Sequence, residues 1–93
     1  MIIDSHCHLE YEPMSLNLKE TISRANKDGV EYLLTISTTD KSLKKILKIT
    51  SDFNCVYGTY GIHPHEAKNH KNIKCEEIIN NINLSKKIIG IGE

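Results

Sequence analysis

No apolar run in this 93-residue chain approaches the roughly 18 residues that span a bilayer. The opening MIIDSHCH lacks the basic start and long apolar stretch of a signal peptide. A cytoplasmic location is the resulting expectation. Net charge is also missing: twelve Lys and Arg balance twelve Asp and Glu, so the overall balance favours neither nucleic acid nor an anionic surface. The three cysteines, Cys7, Cys55 and Cys75, form no CxxC pair and are odd in number, which argues for reduced thiols over a disulfide framework. The lysines at 41, 44, 45 and 48 are not interleaved with aromatics and are flanked by Asp40 and Asp52; they read as a solvated helix face. Low-complexity segments and linkers are lacking too, which leaves one small domain, residues 1–93.

What is present is an alternation of apolar runs and turn signals. Met1–Ser5, Val30–Thr38, Cys55–Ile62 and Lys87–Glu93 read as strands. Between them Leu18, Ile22 and Ala25 recur at helical spacing, with Gly29 as a left-handed stop. Asp40 is the expected cap of a second helix whose buried stripe is Leu43, Ile46, Leu47 and Thr50. Cys75, Ile78, Ile79 and Ile82 repeat the pattern. Strand centres about 24 to 32 residues apart suit βαβ crossovers in a parallel sheet, so the expected class is α/β, in the order β-α-β-α-β-α-β. Fourteen Ile, eleven Lys and eight Asn point to A/T-rich coding sequence, which weakens arguments from propensity.

In parallel α/β folds reactive groups gather at the carboxyl ends of the strands. The ends here carry His6-Cys7-His8, Ser37-Thr38-Thr39, His63-Pro64-His65 and Glu93. Two residues apart on an extended segment, His6 and His8 project to one side and can share a metal ion, while Cys7 faces the other way as a packing residue. Asp4 before them, and His and Glu elsewhere on the rim, are ligand types that Zn²⁺ or Mn²⁺ accept. His63 is open between substrate contact and loop structure, and His65 and His70 read as loop. Glu93 ends an otherwise apolar strand, where a carboxylate needs a metal or a hydrogen-bond donor.

Three blocks, DSHCHLE at 4–10, YGIHPHEA at 60–67 and IGIGE at 89–93, together resemble the TatD-type metal-dependent deoxyribonucleases of the amidohydrolase superfamily. The resemblance implies a (β/α)₈ TIM barrel, of which this chain carries the N-terminal half, β1-α1-β2-α2-β3-α3-β4. It implies two divalent metal ions, Zn, Mn or Mg, with His6, His8 and Glu93 matching the first three ligands. Glu93 is the catalytic candidate, as a ligand or bridge between ions, and His63 matches a residue near the substrate phosphate. The implied reaction is hydrolysis of phosphodiester bonds in DNA by a metal-activated water.

A barrel of this type needs about 250 residues, and the family's later ligands, two histidines and an aspartate, have no counterpart in residues 1–93. The expectation is therefore a fragment with exposed edge strands, completed by a homo-oligomer or by a complementing C-terminal half. The alternative is a non-catalytic remnant or small metal-binding module without independent activity. A different branch of His-x-His hydrolases is disfavoured by the GIHPHEA block.

Overall fold

In the computed structural model, which describes residues 1–92, β1 (Ile2–Cys7), β2 (Val30–Ile36), β3 (Val56–Tyr60) and β4 (Ile88–Ile91) alternate with α1 (Leu18–Lys27), α2 (Asp40–Asp52) and α3 (Cys75–Ile82). β1 runs past the expected Ser5 because its backbone still pairs with β2 where Cys7 lies opposite Thr35. β2 stops at Ile36, short of Thr38, because the next residues turn to cap α2. The Thr38 amide donates to Ser42 Oγ at 2.9 Å and the Ser37 hydroxyl donates to the Thr39 carbonyl at 3.0 Å. β3 likewise ends at Tyr60, and the chain crosses to β2's end, where the His63 amide donates to the Thr38 carbonyl at 2.9 Å. The last residue of the expected fourth strand, Glu93, lies outside the described residues.

The cap of α2 is Thr39, one residue before the expected Asp40. Thr39 Oγ1 accepts from the Ser42 amide at 3.0 Å, and Ser42 Oγ accepts from the Thr39 amide at the same distance. This reciprocal pair satisfies two amides that a helix start leaves open, and Asp40, in the first turn, still favours the helix dipole. At the end of α1 the chain reverses through Gly29 at φ +99°, the left-handed conformation that side chains disfavour. α2 buries Leu43, Ile46, Ile49 and Thr50 and leaves its lysines exposed. Ile49 joins the expected stripe. On α3 only Ile78 and Ile82 pack inward. Cys75 and Ile79 are exposed, contrary to the expected stripe, because Ile79 lies about 100° around the helix from Ile78.

The four strands are parallel and lie in sequential order, β1-β2-β3-β4. Sequential order distinguishes a barrel wall from a doubly wound open sheet, whose strand order reverses at a switch point. The helices cover one face. Leu9, Ile22, Leu33, Ile49 and Val56 form one core cluster there, and Leu43, Ile46, Tyr60 and Ile88 form a second. Gly58 permits the second: a Cβ at that position would lie 2.5 Å from Ile46 Cγ2 and 2.9 Å from Ile88 Cδ1. The opposite face is bare. Ile3, Tyr32, Leu34, Tyr57 and Ile89 line an open apolar depression of about 320 Å³ there, on the side that is interior in a closed barrel. The fold is thus the N-terminal half of a (β/α)₈ TIM barrel. No helix among the described residues is long and apolar enough to cross a membrane.

Candidate metal centre

A register shift between Asp4 and Cys7 resets the alternation along β1, so that Cys7 lies on the face opposite Ile3. Cys7 turns toward the helices, packs against the first core cluster and donates Sγ–H to the Leu34 carbonyl at 3.4 Å. Burial, reinforced by the nearby Asp4 and Glu10 carboxyls, pushes its thiol up to about 12. It packs, as its place between the two histidines implies. His6 and His8 turn the other way, with ring centres 5.3 Å apart and planes at 80°. The Asp4 carboxyl accepts the His6 amide at 3.1 Å.

Two imidazoles on one tetrahedral ion, with Zn–N bonds of about 2.1 Å and ring centres about 1.1 Å behind each nitrogen, stand roughly 5 Å apart. The observed separation fits that geometry. His8 is further prepared on its far side, where Nδ1 lies 3.0 Å from the Ile36 carbonyl. A carbonyl only accepts, so Nδ1 carries the proton and Nε2 keeps the lone pair that a metal requires. Among the described residues no third His, Cys, Asp or Glu joins the pair into a metal-binding group. Glu93, the expected third ligand, lies outside the described residues.

His8 also borders a cavity of about 240 Å³ that it shares with Tyr11, Thr38, His63, His65 and Glu66. Thus the structure brings His63 to the same rim as His8. Its Nδ1 accepts the His65 amide at 3.1 Å, so in the neutral ring Nε2 bears the hydrogen and is a donor. The His63 and His65 rings lie 4.8 Å apart. Tyr11 stacks on His8 with ring centres 5.5 Å apart, and its hydroxyl is hydrogen-bonded to Thr38 Oγ1. A short 3₁₀ segment, Pro64–His70, follows His63 and places His65 and Glu66 on the wall of the same cavity. It is strapped down by His70, whose Nδ1 donates to the Glu66 carbonyl at 2.8 Å and whose Nε2 meets Asp40 Oδ1 at 3.3 Å. With both ring nitrogens facing acceptors, His70 titrates above the ordinary histidine value, chiefly through the Glu66 carbonyl and then Asp40; the same contact lowers Asp40. His70 is a structural loop residue, as its sequence context implies.

Sequence reasoning passed over Glu10 and Tyr11. Glu10 is 1% exposed, accepts the Thr35 hydroxyl at 2.9 Å through Oε2, and places Oε1 3.5 Å from His8 Nδ1. Glu10 lies in the turn after β1, where strand alternation no longer applies, and its partner Thr35 is 25 residues away, so no local signal marks it.

Comparison with known proteins agrees with this architecture. A family model described as TatD related DNase matches residues 3–93. An uncharacterized metal-dependent hydrolase of Buchnera aphidicola (subsp. Baizongia pistaciae) is 32% identical over 97 residues, covering 99% of this chain and 35% of its own length. The Escherichia coli uncharacterized metal-dependent hydrolase YjjV is 24% identical over 92 residues, covering 98% of this chain and 36% of its own. The crystal structure of YjjV, a TatD homologue, superposes with a TM-score of 0.82 over 99% of this chain at 21% identity. The chain therefore spans about a third of the length of the relatives it matches.

Proposed function

Because the chain belongs to the TatD-related DNase family, we propose that it carries part of the active site of a metal-dependent hydrolase acting on phosphodiester bonds, with DNA as substrate. The observation that carries this reading is the His6–His8 pair, whose 5.3 Å ring separation suits two ligands of one divalent ion. Glu93 is assigned as the third ligand, and as the catalytic carboxylate between two ions, by its place in the IGIGE block.

A divalent ion held by these residues supplies Lewis acidity toward a phosphoryl oxygen. The chain's own side chains do the rest. His8 presents Nε2 because Nδ1 is tied to the Ile36 carbonyl. His63 presents an Nε2–H donor into the cavity it shares with His8, positioned to hydrogen-bond a phosphate oxygen there. Tyr11, stacked on His8, shields one flank of that ring from water.

Residues 1–93 make up one part of the hydrolase domain in this proposal, and the bare apolar sheet face is the side against which the remaining strands of a barrel pack. Those strands come from a complementing C-terminal half or from a second copy of the chain. The test is calorimetric titration of the metal-free chain with Zn²⁺, followed by cleavage of a DNA strand with and without the ion. Binding that vanishes in His6→Ala and His8→Ala supports the reading. A folded wild-type chain that takes up no Zn²⁺, Mn²⁺ or Mg²⁺ sinks it. Metal binding without cleavage, in the chain alone and in a longer form supplying the later strands, favours the non-catalytic module instead.

A further inference from the structure

Glu10 is the buried polar group that the proposed chemistry leaves unexplained. Its carboxyl is 1% exposed, yet it is held by one hydrogen bond, from Thr35 Oγ1 at 2.9 Å. Its other oxygen, Oε1, is buried and has no hydrogen-bond partner. Leaving such an atom unpaired costs about 1–3 kcal/mol, and an apolar side chain of similar size would avoid that cost. Three contacts fix where the carboxyl points. Thr35 Oγ1 accepts the Leu9 amide at 3.0 Å, so its hydrogen is free only for Glu10 Oε2. That bond turns Oε1 toward His8 Nδ1, 3.5 Å away. His8 Nδ1 already faces the Ile36 carbonyl at 3.0 Å, so its hydrogen lies between two oxygens.

Resting on the metal reading of His8, we propose that Glu10 is a positioning residue that works through His8. It stands behind the imidazole, holds the Nδ1–H tautomer together with the Ile36 carbonyl, and adds negative potential that strengthens Nε2 as a metal ligand. Glu10 is not itself a ligand, because it lies beside the ring nitrogen opposite Nε2. The Leu9–Thr35–Glu10 chain ties this support to β2, so the ring is oriented before an ion arrives. Carboxyl groups behind a ligating imidazole commonly change metal affinity about 10- to 100-fold.

The test uses the full 93-residue chain, wild type and Glu10→Gln, with two readouts. The first is Zn²⁺ affinity by calorimetry, expected to weaken about 10- to 100-fold in the variant while the circular dichroism spectrum is retained. The second is nitrogen-resolved proton NMR of His8 in metal-free protein. Wild type should show a protected Nδ1–H resonance, and Glu10→Gln should shift it or broaden it away. Unchanged affinity together with an unmoved His8 resonance overturns the proposal. If neither protein binds Zn²⁺, the metal reading fails, and the His8 resonance alone decides: moved supports Glu10 as the positioning group, unmoved refutes it. Should Glu10→Gln not fold, Glu10→Asp, which draws the carboxyl back by one methylene, carries the same two readouts.

Discussion

Replacing Gly58 by alanine tests the packing that holds the rim together. The added Cβ would stand 2.5 Å from Ile46 Cγ2 and 2.9 Å from Ile88 Cδ1, whereas apolar carbons rest at about 3.5–4.0 Å. Ile46 must retreat by roughly 1 Å. It has little room, being fully buried on α2 among Leu43, Tyr60 and Ile88. Overpacking of this kind costs about 1–3 kcal/mol. Alanine also stiffens the unfolded chain, which returns about 0.4–1 kcal/mol, since Gly58 does not need a positive φ. From the middle of each range the net loss is about 1.3 kcal/mol, and for a chain of this size Tm falls roughly 4–8 °C per kcal/mol. Urea unfolding followed by circular dichroism measures it. The clash is isolated by a double-mutant cycle. Ile46→Ala alone costs about 2–5 kcal/mol, but combined with Gly58→Ala the total should fall short of the sum by about 1 kcal/mol, because the clashing methyl is gone. Additivity within about 0.5 kcal/mol, or a Gly58→Ala protein as stable as wild type, would refute the close-approach argument.

Other perturbations separate support from chemistry. Thr35→Val removes the hydroxyl that serves both the Leu9 amide and Glu10 Oε2; two buried groups at about 1–3 kcal/mol each should make it clearly less stable in urea than Thr35→Ser, which keeps the hydroxyl. The His70–Asp40 strap has a pH window. His70 is raised above its ordinary 6.5, so its contribution is full below that value and fades as pH rises through the raised one; Asp40 is lowered from 3.8, so its contribution is full above that value and fades as pH falls through the lowered one. Protection factors for amide exchange along Pro64–His70, corrected for the intrinsic pH dependence of exchange, should therefore be highest between about pH 4 and 6.5, and their fall above pH 6.5 should vanish in His70→Ala. Thiol labelling at pH 8 should modify exposed Cys75 well before Cys7, which is half-buried and titrates near 12; equal rates would mean that β1 does not pack as described.

The parts of the fold set by periodicity and local turns were legible in the sequence. Strand and helix order follows from the apolar runs and helix stripes, the Gly29 stop from glycine's tolerance of positive φ, and the opposite facing of His6 and Cys7 from their being adjacent on an extended segment, although a register shift between Asp4 and Cys7 that the sequence does not reveal sets which face each takes. What escaped depended on contacts between elements. Thr39 outcompeted Asp40 as cap because Ser42, three residues on, completes a reciprocal bond, and either residue type satisfies a cap rule read one position at a time. Ile79 looked like core because a helix stripe does not reveal which of its neighbours meets the sheet; only Ile78 and Ile82 do. Glu10 was invisible as a buried group because its burial comes from β2 and its partner, Thr35, is 25 residues away. The roles proposed for Glu93 and His63 rest on the family resemblance, since neither spacing nor composition assigns them.

The candidate centre divides into a part that the β1–β2 pair builds and a part that it does not. His8 receives its tautomer from a β2 carbonyl, its flank from Tyr11 and its backing from Glu10, which is held in turn by Thr35 of β2. Tyr11 and Glu10 meet His8 within the loop directly after β1, and the Ile36 and Thr35 contacts tie that loop to β2. None needs a strand beyond β2. His63 reaches the same rim through its amide bond to the Thr38 carbonyl, again at the end of β2. β2 is therefore the reference element of the site: it orients His8 through Ile36 and, by way of Glu10, Thr35, and it holds the His63 backbone through Thr38. Thr35 and Ile36 point to opposite faces of the sheet, so any shift of β2 by one residue would exchange the two faces and dismantle both arrangements together. Orientation of the His8 ring is thus a property of two adjacent parallel strands and the loop between them and α1, which makes it independent of how the rest of a barrel is supplied.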